Sequence, residues 1–219
     1  LMSFNEVSVE PYSYRKQINS IYGAVNLGWK HMLYFDATLR GDQSSTLPIS
    51  NNMYIYPSFS GSFVFSELLK LGDKLPYGKV RMSWAQVGSD TDPYQLGLVY
   101  TKSKFAYPGY TIGYISNGTI PNKDLKPTKT NSFEMGLELK FLKNRIGLDF
   151  TYYSQLSKNQ IMGMASSSTS GYGYRLINAG EIENKGVEIA LNTRPIQTKD
   201  FSWDLNFNFS KNSNTVSYT

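Results

Sequence analysis

The chain has 219 residues, 40% of them hydrophobic, with a formal net charge of +5 and no cysteine. No uninterrupted apolar stretch reaches the ~20 residues a membrane-spanning helix needs, so any bilayer crossing must be made by strands. Disulfides, thiolate metal sites and thiol nucleophiles are excluded, and the single His31 leaves no imidazole cluster. Lys and Arg are scattered among Asp and Glu, which argues against nucleic acid as a partner. Aromatic residues reach 15%, a load that suits either the interfacial girdles of a membrane barrel or an aromatic-rich sandwich.

The opening "LMSFNEVSVEP" lacks a basic segment followed by an apolar core and a small-residue cleavage site, so it does not read as a signal peptide. From there a period of two runs to the end of the chain. Ile21, Gly23, Val25, Leu27 and Trp29 form one apolar face; after a Lys30-His31 turn, Leu33, Phe35, Ala37 and Leu39 form the next. Ile55 to Phe65 predicts a third strand, in which Pro57 marks a bulge or a strand end because it cannot donate to a ladder. Val80, Met82 and Trp84 make a fourth, and "SELLKLGDKLPYG" before it has room for one short helical turn.

Phe133 to Phe141 and Ile146 to Tyr152 form a hairpin with a turn at Lys143 to Arg145, and strands around Val187 to Leu191 and Trp203 to Phe209 bring the total to eight. The hairpin alone leaves open whether its apolar face meets a second sheet or lipid. Connection lengths favour lipid. Short ones fall at Lys30-His31, Lys143 to Arg145 and Gln197 to Asp200, with a moderate one from Ser66 to Tyr77. Long ones run from Ser89 to Thr130 and from Ser157 to Asn184. Alternation of this kind follows when every second connection lies on the same side of a wall.

Strands of roughly ten residues match the 9 to 11 that a tilted transmembrane strand requires. The expected fold is therefore all-β, an antiparallel transmembrane barrel. Its charged face, carrying Asp36, Arg40, Arg81, Glu134, Glu138, Asp149, Glu188 and Asp204, would line a wet lumen, and its apolar face would meet outer-membrane lipid. With the short turns periplasmic, both ends of the chain fall on the outer side, so it reads as a section of a wider barrel. A small passive or structural barrel and a soluble β-sandwich binding module are the alternatives.

Specific residues carry a resemblance. "RGDQSS" (40–45), "YPSFSGSFVFSE" (56–67), "GKVRMSWAQVG" (78–88), "IPNKDLKPTKTNSFEMGLE" (120–138) and "NAGEIENKGVEIALNTRPI" (178–196) occur in an order and spacing similar to the C-terminal barrel portion of SusC/RagA-type TonB-dependent outer-membrane transporters of the Bacteroidetes. Gly41 and Gln43 depart from the pattern of many relatives. The resemblance implies that residues 1–219 are a section of a 22-stranded barrel whose N-terminal plug is absent from this sequence. It also implies TonB-driven import of oligosaccharides or peptides across a Gram-negative outer membrane, and a SusD-like surface lipoprotein as partner. It assigns no residue here to TonB contact.

Candidate recognition residues lie in the long loops. Tyr172, Tyr174 and Arg175 follow a flexible Ser/Thr/Gly run, and Tyr107 and Tyr110 stand in the earlier loop beside Tyr94, Tyr100 and Tyr114. Aromatic faces stack on sugar rings or peptide side chains and Arg pairs with acids, although the same rings could pack loops together or sit at the headgroup level. Glu134 and Glu138 share a face, yet in a regular alternating strand they read as lumen lining and not as an acid/base pair. Gly186 in Asn184-Lys185-Gly186 is expected to permit a close approach where a long loop enters a strand. No phosphate loop or nucleophile elbow occurs, Asn117-Gly118-Thr119 is a sequon of low information, and nothing points to an enzyme, a metal or a cofactor.

Overall fold

The computed structural model describes residues 13–217 except 71, 99, 103–108, 111 and 116–117. Eight long strands form one antiparallel sheet: β1 Ile18–Trp29, β2 Leu33–Ser44, β3 Met53–Val64, β4 Tyr77–Ser89, β8 Thr128–Phe141, β9 Ile146–Lys158, β12 Glu181–Gln197 and β13 Ser202–Ser217. Each pairs with the next in that order. The shorter β5 Tyr100–Lys102, β6 Gly113–Ile115 and β7 Thr119–Ile120 lie between β4 and β8, and β10 Ile161–Ala165 and β11 Tyr174–Asn178 lie between β9 and β12. The single α-helix among the described residues, α1 Phe65–Leu69, is the expected helical turn.

Cross-strand register turns the sequence alternation into continuous rows. Trp29, Leu33, Phe63, Val80, Leu137, Phe150, Ile189 and Phe209 stand opposite one another across all eight strands, an unbroken apolar line. One residue over, the row reads Gly28, Tyr34, Ser62, Arg81, Gly136, Thr151, Glu188 and Ser210. A one-residue slip anywhere would exchange the two faces, so the pattern specifies the register. The apolar belt slants across the rows: its lower edge is Trp29 in β1 but Trp203 in β13, six positions past the Phe209 that shares Trp29's row.

No second sheet covers this belt among the described residues. Leu27 is 60% and Phe207 65% exposed, and β1 and β13 pair only with β2 and β12, so the sheet is not closed into an eight-stranded barrel.

Tight turns close the hairpins at one end. The Trp29 carbonyl accepts from Met32 N at 2.9 Å around Lys30 and His31, both at positive φ, the arrangement whose twist matches paired strands. Leu142, Lys143 and Asn144 do the same between β8 and β9.

Several expectations are corrected. The long strands run 12 to 17 residues, not ten, because they continue as polar ladder beyond the belt, as at Gln86–Asn131. Phe65 leaves β3 and opens α1, its ring packed over Gly78, where an added Cβ would meet Phe65 ring carbons at 2.4 Å. The alternation of connections is not strict: residues 65–76 on the short-turn side outnumber 45–52 opposite, since α1 occupies the former. Pro57 lies inside β3 with no bulge. Its pairing with Leu39 of β2 is in register, and the ladder to β4 begins only at Ser58, so it is a strand end on that side alone.

Candidate functional site

Two regions carry the polar chemistry: the face opposite the belt and the cluster of loops at the far end from the tight turns.

On the polar face, cross-strand pairs join neighbouring strands. Asp36 accepts from Asn26 Nδ2 at 2.5 Å and from Ser60 Oγ at 3.0 Å, linking β1, β2 and β3. Arg81 of β4 donates to both Asp149 oxygens at 3.0 and 2.8 Å and to Thr151 Oγ1 at 2.7 Å, so its guanidinium reaches across β8 to β9. It crosses at Gly136, where a Cβ would lie 2.4 Å from Arg81 Nε. A fork donor matched to a carboxylate is the strong form of such a contact.

Glu134 and Glu138 flank Gly136 two residues either side, and Glu138 also meets Lys140 Nζ at 3.7 Å. Glu188 borders an open cavity of about 500 Å³ with Arg81, Asp149, Thr151, Asn208 and Ser210. Asp204 pairs with Arg194 Nε at 2.6 Å, next to the register shift where β12 accommodates Pro195. All eight charged residues singled out by alternation therefore share one face.

Gly186 behaves as expected in one respect and not in another. A Cβ there would lie 2.5 Å from the Lys211 carbonyl oxygen and 2.7 Å from Tyr153 Oη, so close approach is real. It sits well inside β12, however, and not at a loop entrance, because β12 already begins at Glu181.

At the loop end, Leu47, Tyr54, Leu125 and Leu176 form the buried core, with Tyr56, Leu96 and Ile161 against it. They come from three different connections and one strand end. Asp42 is buried beside them, accepting from Arg40 Nε at 2.9 Å and from the Tyr56 hydroxyl. Arg40 also donates to Ser20 Oγ at 3.1 Å. Asp90 accepts from Lys16 Nζ at 2.6 Å, Thr46 Oγ1 at 3.1 Å and Ser44 Oγ, fastening the end of β4 to the lead into β1. Burial pushes the Asp90 carboxyl up, but the bonds from Lys16, Ser44 and Thr46 prevail and hold it below its ordinary value.

The two long loops are joined. Asn178 donates to the Lys126 and Asn159 carbonyls at 2.8 and 3.0 Å and accepts from Lys126 N at 2.8 Å. β11 runs parallel to β7, and Gly118 O accepts from both Gly173 N and Tyr174 N at 2.8 Å. This clamp carries three of the candidate recognition residues. Tyr174 is 55% exposed and Arg175 is exposed, both on the start of β11, and Tyr172, half-buried, lies just before it. Tyr110 is exposed in a separate segment, and no ring contact joins it to Tyr172 or Tyr174 among the described residues. Tyr107 lies outside the described residues.

Sequence reading missed Asp42, Tyr54, Tyr56, Asp90 and Asn178 as organising groups. "RGDQSS" hinted at Asp42 and "NAG" at Asn178, as runs of turn-forming and hydrogen-bonding residues at strand ends.

A sequence family described as TonB dependent receptor-like, beta-barrel, matches residues 3–219. TonB-dependent receptor P3 of Formosa agariphila is 29% identical over 96% of this chain and 22% of its own length. TonB-dependent receptor SusC of Bacteroides thetaiotaomicron is also 29% identical, over 94% of this chain and 21% of its own. The chain thus spans about a fifth of the curated relatives it matches. Among solved structures, the RagAB peptide importer in its closed-closed state superposes with a TM-score of 0.85 at 23% identity, covering 92% of this chain and 22% of that one. The siderophore receptor PirA of Pseudomonas aeruginosa superposes at 0.58 with 19% identity, over 92% and 33%.

Proposed function

Because the chain belongs to the TonB dependent receptor-like β-barrel family, we propose that it forms one side of an outer-membrane importer that draws nutrients through a wider barrel at the expense of TonB-transmitted energy. The observation that carries this reading is the pair of uninterrupted faces: an apolar belt on every strand, and opposite it a wall of paired charges and hydroxyls. A bilayer stabilises the first and a hydrated passage the second. The eight strands are a section of the barrel domain of the whole receptor, and a plug is expected from other parts of that protein.

Cargo recognition falls to the clamped loops, with Tyr172, Tyr174 and Arg175 presented together and Tyr107 and Tyr110 in the neighbouring loop. Their chemistry suits an oligosaccharide or a peptide, through ring stacking and an arginine donor. A SusD-like surface lipoprotein would meet the same end, a partner supported by the likeness to SusC and to the RagAB fold. TonB would engage segments other than these 219 residues.

The test is made in the full-length receptor. Spin labels at Leu137 and Leu148 should report acyl chains, while labels at Glu138 and Asp149 should report water. Water at all four positions would overturn the membrane placement. Tyr172→Ala with Tyr174→Ala should lower uptake of the cognate nutrient, and unchanged uptake would remove the recognition role.

A further inference from the structure

The apolar belt is not smooth. In the row Leu27, Phe35, Gly61, Met82, the third position has no side chain, and a Cβ placed there would meet nothing nearer than the Tyr34 carbonyl oxygen at 3.9 Å. The fold therefore has room for a side chain at Gly61 and leaves a notch instead. That notch is the floor of a groove of about 460 Å³, walled by Leu27, Trp29, Leu33, Phe35, Phe63 and Met82. Its volume falls in the range of small-molecule sites, roughly 300–1,000 Å³.

The groove reaches the tight-turn end of the sheet, where Trp29 and Leu33 flank the β1–β2 turn and Lys30 stands beside it. Lys30 Nζ lies 4.7 Å from the centre of the Trp29 ring, which itself forms part of the wall. The two connections between the groove's own strands at this end carry Lys30, Lys70 and Lys74 against Glu67 and Asp73 in sequence. An apolar groove with a lysine against one of its walls complements a molecule with an alkyl chain and an anionic head.

We infer that this groove is a phospholipid seat, in which one acyl chain of an anionic phospholipid of the leaflet nearest the tight turns lies over Gly61 while its phosphate meets Lys30. The seat rests on the bilayer placement of the apolar face and is independent of cargo. An indole beside a lysine is a favourable headgroup-level pair, and the chain fills the void that the missing side chain leaves.

The experiment uses the full-length receptor in phosphatidylethanolamine nanodiscs doped with phosphatidylglycerol that carries a diazirine midway along one acyl chain. After photolysis, peptides holding Phe35, Phe63 and Met82 should be labelled several-fold more than those holding Leu148 and Leu191, which stand on the same apolar face outside the groove. Gly61→Leu should bring the ratio close to one. Lys30→Glu, in a surface turn, should lower labelling by phosphatidylglycerol and leave labelling by a phosphatidylcholine probe unchanged.

Even labelling around the belt means annular lipid only and overturns the seat, as does indifference to Lys30→Glu. Stronger labelling of the groove by a diazirine-bearing lipid A would assign it to the opposite leaflet and overturn it too. Absence of label from every belt peptide would defeat the bilayer placement itself, an outcome distinct from the others.

Discussion

The strand wall and the loop cluster are stabilised in different ways. The wall buries little of its own apolar surface, since Leu27, Leu39 and Phe207 are all more than half exposed, and its order comes from ladders and from a solvent that welcomes those side chains. The loop cluster has a dry core of its own, with Leu125 fully buried and Asp42 beside it held by a guanidinium and a phenol. The first region needs a membrane, the second only its own packing. Insertion and loop architecture should therefore be separable by mutation.

The sharpest separation comes from the core of the cluster. Leu125→Ala should cost about 2–5 kcal/mol there, the range for emptying a well-packed site. It should render the loops sensitive to limited proteolysis while the receptor still inserts and shows heat-modifiable migration. The reciprocal change is Leu137→Arg, a charge on the belt, expected to cost about 2–4 kcal/mol near the bilayer centre. Outer-membrane yield should fall for that variant and not for Glu138→Arg, one residue along on the other face.

Gly136→Ala sharpens the comparison within the wall. The new methyl would displace the Arg81 side chain and break its bonds to Asp149 and Thr151, at about 1–3 kcal/mol of overpacking, read as a lowered unfolding temperature in detergent. A smaller loss is expected from Asn178→Ala, which removes one side chain's bonds to Lys126 and Asn159. Hydrogen exchange should rise in both long loops together.

Smallest is the effect of acid on Asp90. Its carboxyl is held below the ordinary value of 3.8, so its contribution is complete above that value and is lost as pH falls through the lower folded one. Acid-range exchange should therefore loosen the Lys16–Asp90 junction, and Asp90→Asn should remove that dependence.

The same contrast explains what could be read in advance. A wall is periodic, so Phe133 to Phe141 and Ile146 to Tyr152 announce their faces, and every charged residue chosen by alternation shares one side of the sheet. Outward continuation of the strands was not visible, because beyond the belt the alternation passes into polar residues such as Gln86 and Asn131. The loop cluster is aperiodic: Leu47, Leu125 and Leu176 are single leucines in three separate connections between the long strands, and they meet only in three dimensions. Asn178 is likewise indistinguishable in sequence from any turn asparagine, and its role depends on where Lys126 and Asn159 arrive.

The slant of the apolar belt has a geometric consequence. At about 3.3 Å per residue, six positions amount to a climb of about 20 Å, made over seven steps of about 4.8 Å between strands, which is an inclination of about 30°. Strands leaning by that amount wind around the axis of a cylinder instead of standing parallel to it, so hydrogen bonding advances along the wall like the thread of a screw. The pitch of that thread is already written into where Trp29 and Trp203 fall on their strands.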